Sequence, residues 1–108
     1  MEVRFQRFGS RVYEGEVNSF ENVALLVADA ESVSFESENE ATFFFCNGSS
    51  ETFSLERGEY LDEEEFFAEL LKSEDFVRAY AHYLVVDGVS FMEYKSAKQS
   101  TKFLRLGA

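Results

Sequence analysis

The sequence predicts an α+β fold in a single domain spanning residues 1–108, an antiparallel β-meander packed against one or two α-helices. Three observations carry this expectation. Apolar and polar residues alternate between residues 32 and 57, and turn signals break the run into pieces. From Asp62 onward the apolar spacing changes to the helical one. A length of 108 residues with 45% hydrophobic content is enough to bury one core. With 13 Phe and no Trp, that core should be built mainly from phenylalanine, each buried ring contributing about 1.5–3 kcal/mol.

Each element follows from local pattern. The runs "EVRFQRF" and "RVYEGEV" alternate on either side of Gly9-Ser10 and predict a hairpin. In "NSFENVALLVADA" two templates compete: Asn18 with Glu21 has capping-box spacing for a helix, whereas Val23, Leu25 and Val27 alternate as in a strand. The alternation favours a strand over 19–30. The meander then follows, with Val33 and Phe35, Phe43 and Phe45, and Phe53 and Leu55 as inward pairs and "ENE" and "NGSS" as its turns. In "ATFFFC", Phe44 and Cys46 point away from Phe43 and Phe45, so this strand is apolar on both faces and is expected to be covered on both within the domain. The alternative for Phe44 is a contact surface.

In "LDEEEFFAELL", Phe66, Phe67, Leu70 and Leu71 form one helical stripe, with Asp62 as N-cap and Glu65 at the capping-box position. Phe76, Val77, Tyr80, Tyr83 and Leu84 continue the helical spacing, which places His82 within a helix. This part is either one helix over 62–85 or a second one begun at Ser73. After it, "LVVDGVSFMEY" is an Asp-Gly hairpin and "TKFLRL" a last strand.

The net charge of −11 is unevenly spread. Four acids face three bases over 1–27, fifteen face two over 28–75, and two face five over 76–108. Acidity is therefore a property of the middle of the chain. Such a domain repels nucleic acid and attracts basic protein grooves, including those that normally hold nucleic acid, because carboxylates in rows can stand in for phosphates. No apolar run has the roughly 20 residues needed to span a bilayer, and the first ten residues lack a signal-peptide apolar region. Cys46 is the single cysteine, which precludes an internal disulfide and fits a reducing compartment. A cytoplasmic location is the expectation.

Motifs for chemistry are sparse. The sequence has no G-x-S-x-G, no phosphate-binding glycine loop, no C-x-x-C and no H-E-x-x-H, so no metal, cofactor or catalytic residue is expected. One short stretch, Asp87 followed by Glu93-x-Lys95, resembles the D…E-x-K signature of the restriction-endonuclease-like nucleases over about ten residues. That resemblance would imply Asp87 and Glu93 holding Mg²⁺ and Lys95 positioning a water. If Asp87 sits in a turn and the chain runs extended to Glu93, however, the two acids lie roughly 20 Å apart, too far to share one ion. Glu74 or Asp75 would have to replace Asp87.

The expected site is instead an acidic surface for a partner. Glu36 and Glu38 should share the outward face of a strand about 6.8 Å apart, with Glu40 in the following turn. Asp62, Glu65 and Glu69 occupy i, i+3 and i+7 of a helix, and Glu63 and Glu64 broaden that face. The expected partner is a basic protein, foremost a nucleic-acid-binding enzyme that this protein inhibits without catalysis; direct binding of nucleic acid or membrane is not expected. In size and charge the chain resembles phage anti-restriction and anti-CRISPR proteins of the DNA-mimic type, and the immunity proteins of bacterial nuclease toxins. The competing expectations are a structural or assembly subunit, including a homodimer in which the basic C-terminal third (Lys95, Lys98, Lys102, Arg105) meets the acidic middle, and a Mg-dependent nuclease.

Overall fold

The computed structural model describes residues 1–55 and 62–93, and for Met92 and Glu93 the backbone only. In chain order the elements are β1 (Glu2–Arg7), β2 (Val12–Glu16), α1 (Phe20–Ala28), β3 (Ser32–Ser37), β4 (Glu40–Phe44), β5 (Ser50–Ser54), α2 (Glu63–Leu71), α3 (Glu74–Tyr80), β6 (Ala81–Val86) and β7 (Val89–Glu93). The strands form two antiparallel sheets, ordered β2-β1-β6-β7 and β3-β4-β5. The α+β architecture and the meander of β3 to β5 are as the pattern predicts. So are the β1–β2 hairpin and the Asp87-Gly88 hairpin, whose turn residues both adopt positive φ, 50° and 78°. The expected strand "TKFLRL" lies outside the described residues.

Residues 20–28 form a helix and not the expected strand. Val23, Ala24, Val27 and Ala28 are buried at helical spacing, and the two alanines satisfy the helical template where the strand template ignored them. The cap is Ser19, one residue later than the Asn18 spacing implied, and its hydroxyl accepts the Asn22 N–H at 3.1 Å. The helix closes at Asp29, left-handed at φ 57°, with Ala30 N–H reaching back to the Leu25 carbonyl at 3.0 Å.

The run 62–85 divides into two helices and a strand. Asp62 caps α2 as expected, accepting the Glu65 N–H at 2.8 Å. The chain breaks at Lys72 and Ser73, and α3 ends at Tyr80. Tyr83, Leu84 and His82 therefore belong to β6 and not to a helix. Leu84 is four residues beyond Tyr80 and two before Val86, so helical and strand spacing coincide on it. The strand prevails because β6 pairs with β1 on one side and β7 on the other, Val3 opposite Val86 and Phe5 opposite Leu84.

The helices fill the space between the sheets. α1 packs on the four-stranded sheet, with Phe20 and Phe91 ring centroids 5.8 Å apart. α2 packs on the meander through Phe35, whose ring lies 4.9 Å from Phe66 and 5.5 Å from Phe67. α3 bridges both, packing against β6 and β7 while Phe76 meets Phe43 and Phe53 at 5.3 and 5.0 Å. Phe5, Phe43, Phe66, Phe67 and Phe76 are all fully buried, as the composition leads one to expect.

The opposite face of the meander does not follow expectation. Phe44 is 40% exposed, in a row with Ser32 and Ser50, and beside it Ser34, Thr42 and Thr52 form a second cross-strand row in which the two threonine hydroxyls lie 2.8 Å apart. No layer covers this face among the described residues. Among them, too, no helix is long and apolar enough to cross a membrane.

Candidate functional site: an acidic surface in two parts

The acids of the expected site, all exposed except the half-buried Glu40, lie on two separate parts of the molecule. In the meander the register shifts between Phe35 and Ser37, so Glu36 sits at a bulge. Glu38 is in the β3–β4 turn and Glu40 opens β4, which corrects the expectation of Glu36 and Glu38 on one strand face with Glu40 in the turn. The bulge takes up the residue that would have kept Glu38 in the strand. Hydroxyls answer two of these carboxylates: Ser34 donates to Glu36 at 3.0 Å, and Ser37 and Ser54 donate to Glu40 at 3.3 and 3.4 Å.

On α2, Phe66, Phe67, Leu70 and Leu71 take the buried side, which turns Glu65 and Glu69 outward. Glu69 pairs with Lys72 at 3.4 Å, with both side chains about half exposed. Glu63 extends the exposed acids at the first turn, where they suit the helix dipole. Glu64 has another partner: its carboxylate accepts the Phe20 N–H at 3.2 Å, so it serves the N-terminus of α1. Asp62 is used as the cap. Because α2 lies against the inward face of the meander, the sheet separates its Glu65 and Glu69 from the outward row that contains Glu40. The acids expected to form one site therefore fall into a helix patch of Glu63, Glu65 and Glu69 and a sheet-edge patch of Glu36, Glu38 and Glu40.

The single cysteine, the single histidine and the acids of the nuclease-like stretch are spread through the fold. Cys46 is exposed in the turn after β4, whereas His82 is in the other sheet with its ring 4.2 Å from Phe8. Asp87 is in the β6–β7 turn, where its carboxylate accepts the Glu2 N–H at 2.7 Å and its own N–H bonds the Glu2 carbonyl at 2.8 Å. Glu93 ends β7 at the far end from that turn, and Lys95 lies outside the described residues. No group of three or more His, Cys, Asp or Glu suited to a metal ion occurs among the described residues.

One feature escaped the sequence pattern. Between the end of α1, the β4–β5 turn and the end of α3 lies a cleft of about 400 Å³, lined by Asp29, Phe45, Cys46, Asn47, Glu51 and Tyr80. Glu51 pairs with Phe43 across the β4–β5 ladder and so points inward, where its carboxylate accepts a hydrogen bond from the Tyr80 hydroxyl. Burial, and then the Glu51 carboxylate beside it, holds the Tyr80 phenol well above the usual tyrosine range.

Comparisons with protein-family models, with curated proteins and with solved structures find no match for this chain.

Proposed function

We propose that the protein is a non-catalytic acidic interaction protein of the cytoplasm, an inhibitor that occupies the basic nucleic-acid-binding surface of a partner enzyme, in the manner of a phage-encoded DNA mimic or of an immunity protein to a nuclease toxin. The observation that supports this reading is how the acids are used. Every described acid between residues 28 and 75 except Glu40 is exposed, and Lys72 is the one base among the described residues of that stretch. Folding accounts for Asp62 and Glu64 as caps; it gives no use to Glu63 and Glu65 on the exposed surface. These carboxylates form charge-assisted hydrogen bonds to arginine and lysine of the partner, giving fast, salt-sensitive association.

The test is affinity capture from native lysate with identification of the retained proteins. A nucleic-acid-binding enzyme should be held at low salt, released at high salt, and lost when Glu63, Glu65 and Glu69 are all changed to Lys. Glu64 stays intact so that α1 keeps its cap. Retention unchanged by the triple substitution would overturn the helix-patch assignment.

A second reading rests on Phe44, which is 40% exposed on a sheet face that no layer covers among the described residues. On it the protein is an assembly subunit that self-associates through that face. A concentration-independent monomer in sedimentation, with Phe44→Ser behaving identically, would dispose of this reading.

A further inference from the structure

We propose that the cleft between α1, the β4–β5 turn and α3 is a recognition site for a guanidinium group, the side chain of an arginine presented by the basic partner. The volume, about 400 Å³, falls toward the lower end of clefts that bind small groups, roughly 300–1,000 Å³. Its charged groups are all of one sign. Asp29 and Glu51 contribute carboxylates, Phe45 and Tyr80 contribute rings whose centroids lie 6.4 Å apart at 44°, and no base lines it among the described residues. A planar, weakly hydrated cation that stacks on aromatic faces and donates to two carboxylates matches this set better than a compact ammonium does.

Two details leave carboxylate oxygens of the cleft without a cation of the fold. Asp29 is an acid at the C-terminal, negative end of α1, where the helix dipole favours a cation, and its carboxylate has no hydrogen-bond or ion-pair partner among the described residues. Arg7 already donates to the Leu26 carbonyl near the same helix end, so a guanidinium is the group this end takes within the fold itself. On the other wall, the Tyr80 hydroxyl holds one oxygen of Glu51 and leaves the other for a ligand. The phenol is the neutral donor of that pair, so the cleft keeps the negative charge of Glu51 as well as that of Asp29.

The source of the cation rests on the function proposed above, whereas the pocket does not. Titrating the isotope-labelled whole chain with N-acetyl-argininamide, followed by amide NMR, needs no partner and so can fail or succeed independently of the capture experiment. The expected result is saturable shifts at Asp29, Asn47, Glu51 and Tyr80. The uncharged isostere N-acetyl-citrullinamide should leave them unmoved. Asp29→Asn, which keeps the left-handed helix closure, and Glu51→Gln should each weaken argininamide binding about tenfold. Phe45→Leu should weaken it less. Equal shifts with the citrulline probe, shifts confined to other parts of the surface, or a response to spermidine with none to argininamide would overturn the proposal.

Discussion

The β1–β2 hairpin and the region from β3 to α2 both carry acids, and they neutralise them differently. In the hairpin, Arg4 faces Glu14 at 3.2 Å across the ladder, and the N-terminal amine meets Glu16 at 3.4 Å. From β3 to α2, serine hydroxyls answer Glu36 and Glu40, backbone N–H groups answer Asp62 and Glu64, and Lys72 alone among the described bases answers Glu69. Hydroxyls and amides satisfy the lone pairs of a carboxylate but leave its charge in place. The first region therefore pairs Glu14 and Glu16 with cations, and the second keeps a net negative field.

The largest expected effect separates the two faces of one strand in the acidic region. Phe43→Ala should cost about 3–5 kcal/mol, because it opens a cavity among Phe53, Phe67 and Phe76, whereas Phe44→Ala should stay below about 1 kcal/mol. Urea unfolding of the two variants checks this. A comparable loss for Phe44 would mean that its face is covered after all.

The caps come next. Glu64→Ala should lose about 1 kcal/mol by freeing the Phe20 N–H, and Asp62→Ala about 0.5–2 kcal/mol, while Glu63→Ala should be close to neutral. Thermal denaturation of the three variants would collapse the distinction between structural and displayed acids if all behaved alike.

The Tyr80 phenol gives a pH test. Its ionisation is raised in the folded state, so the native protein holds this proton where the unfolded chain, with a pKa of about 10, has released it. The stability it contributes is complete below about pH 10 and is lost as the pH rises beyond that. An ultraviolet titration should show one tyrosine lagging behind the others, and Tyr80→Phe should remove the lag. The smallest effect belongs to the hairpin: a double-mutant cycle on Arg4 and Glu14 should give about 0.2–1 kcal/mol and fade with added salt, since both side chains are more than half exposed.

The meander, α2 and the two hairpins were legible because each is specified by neighbours in sequence: alternation, a turn dipeptide, or Asp62 three residues before Glu65. The elements misread are those where two periods overlap. Val23, Leu25 and Val27 satisfy a strand, yet Ala24 and Ala28 complete a helix face, and small residues carry little weight in an apolar count. Leu84 extends the helical run from Tyr80 and also begins the strand spacing to Val86, and only pairing with β1 decides between them. Of the site, the exposure of the acids was legible and their mutual placement was not. A bulge at Glu36 is enough to exchange the roles of Glu38 and Glu40. The cleft had no local signal at all, because Asp29, Phe45, Glu51 and Tyr80 come from three distant stretches.

The pairing of β1 with β6 also sets an order of assembly. Everything that separates Val3 from its partner Val86, including the complete meander and all three helices, must be made before the central ladder of the four-stranded sheet can zip. Closing so long a segment costs chain entropy that local contacts have to offset in advance. On the ribosome, β1 and β2 would emerge first and wait as a hairpin with one bare side, while the acidic half folds from contiguous chain. The open side of the N-terminal hairpin is covered only when β6, from the other end of the fold, pairs with β1.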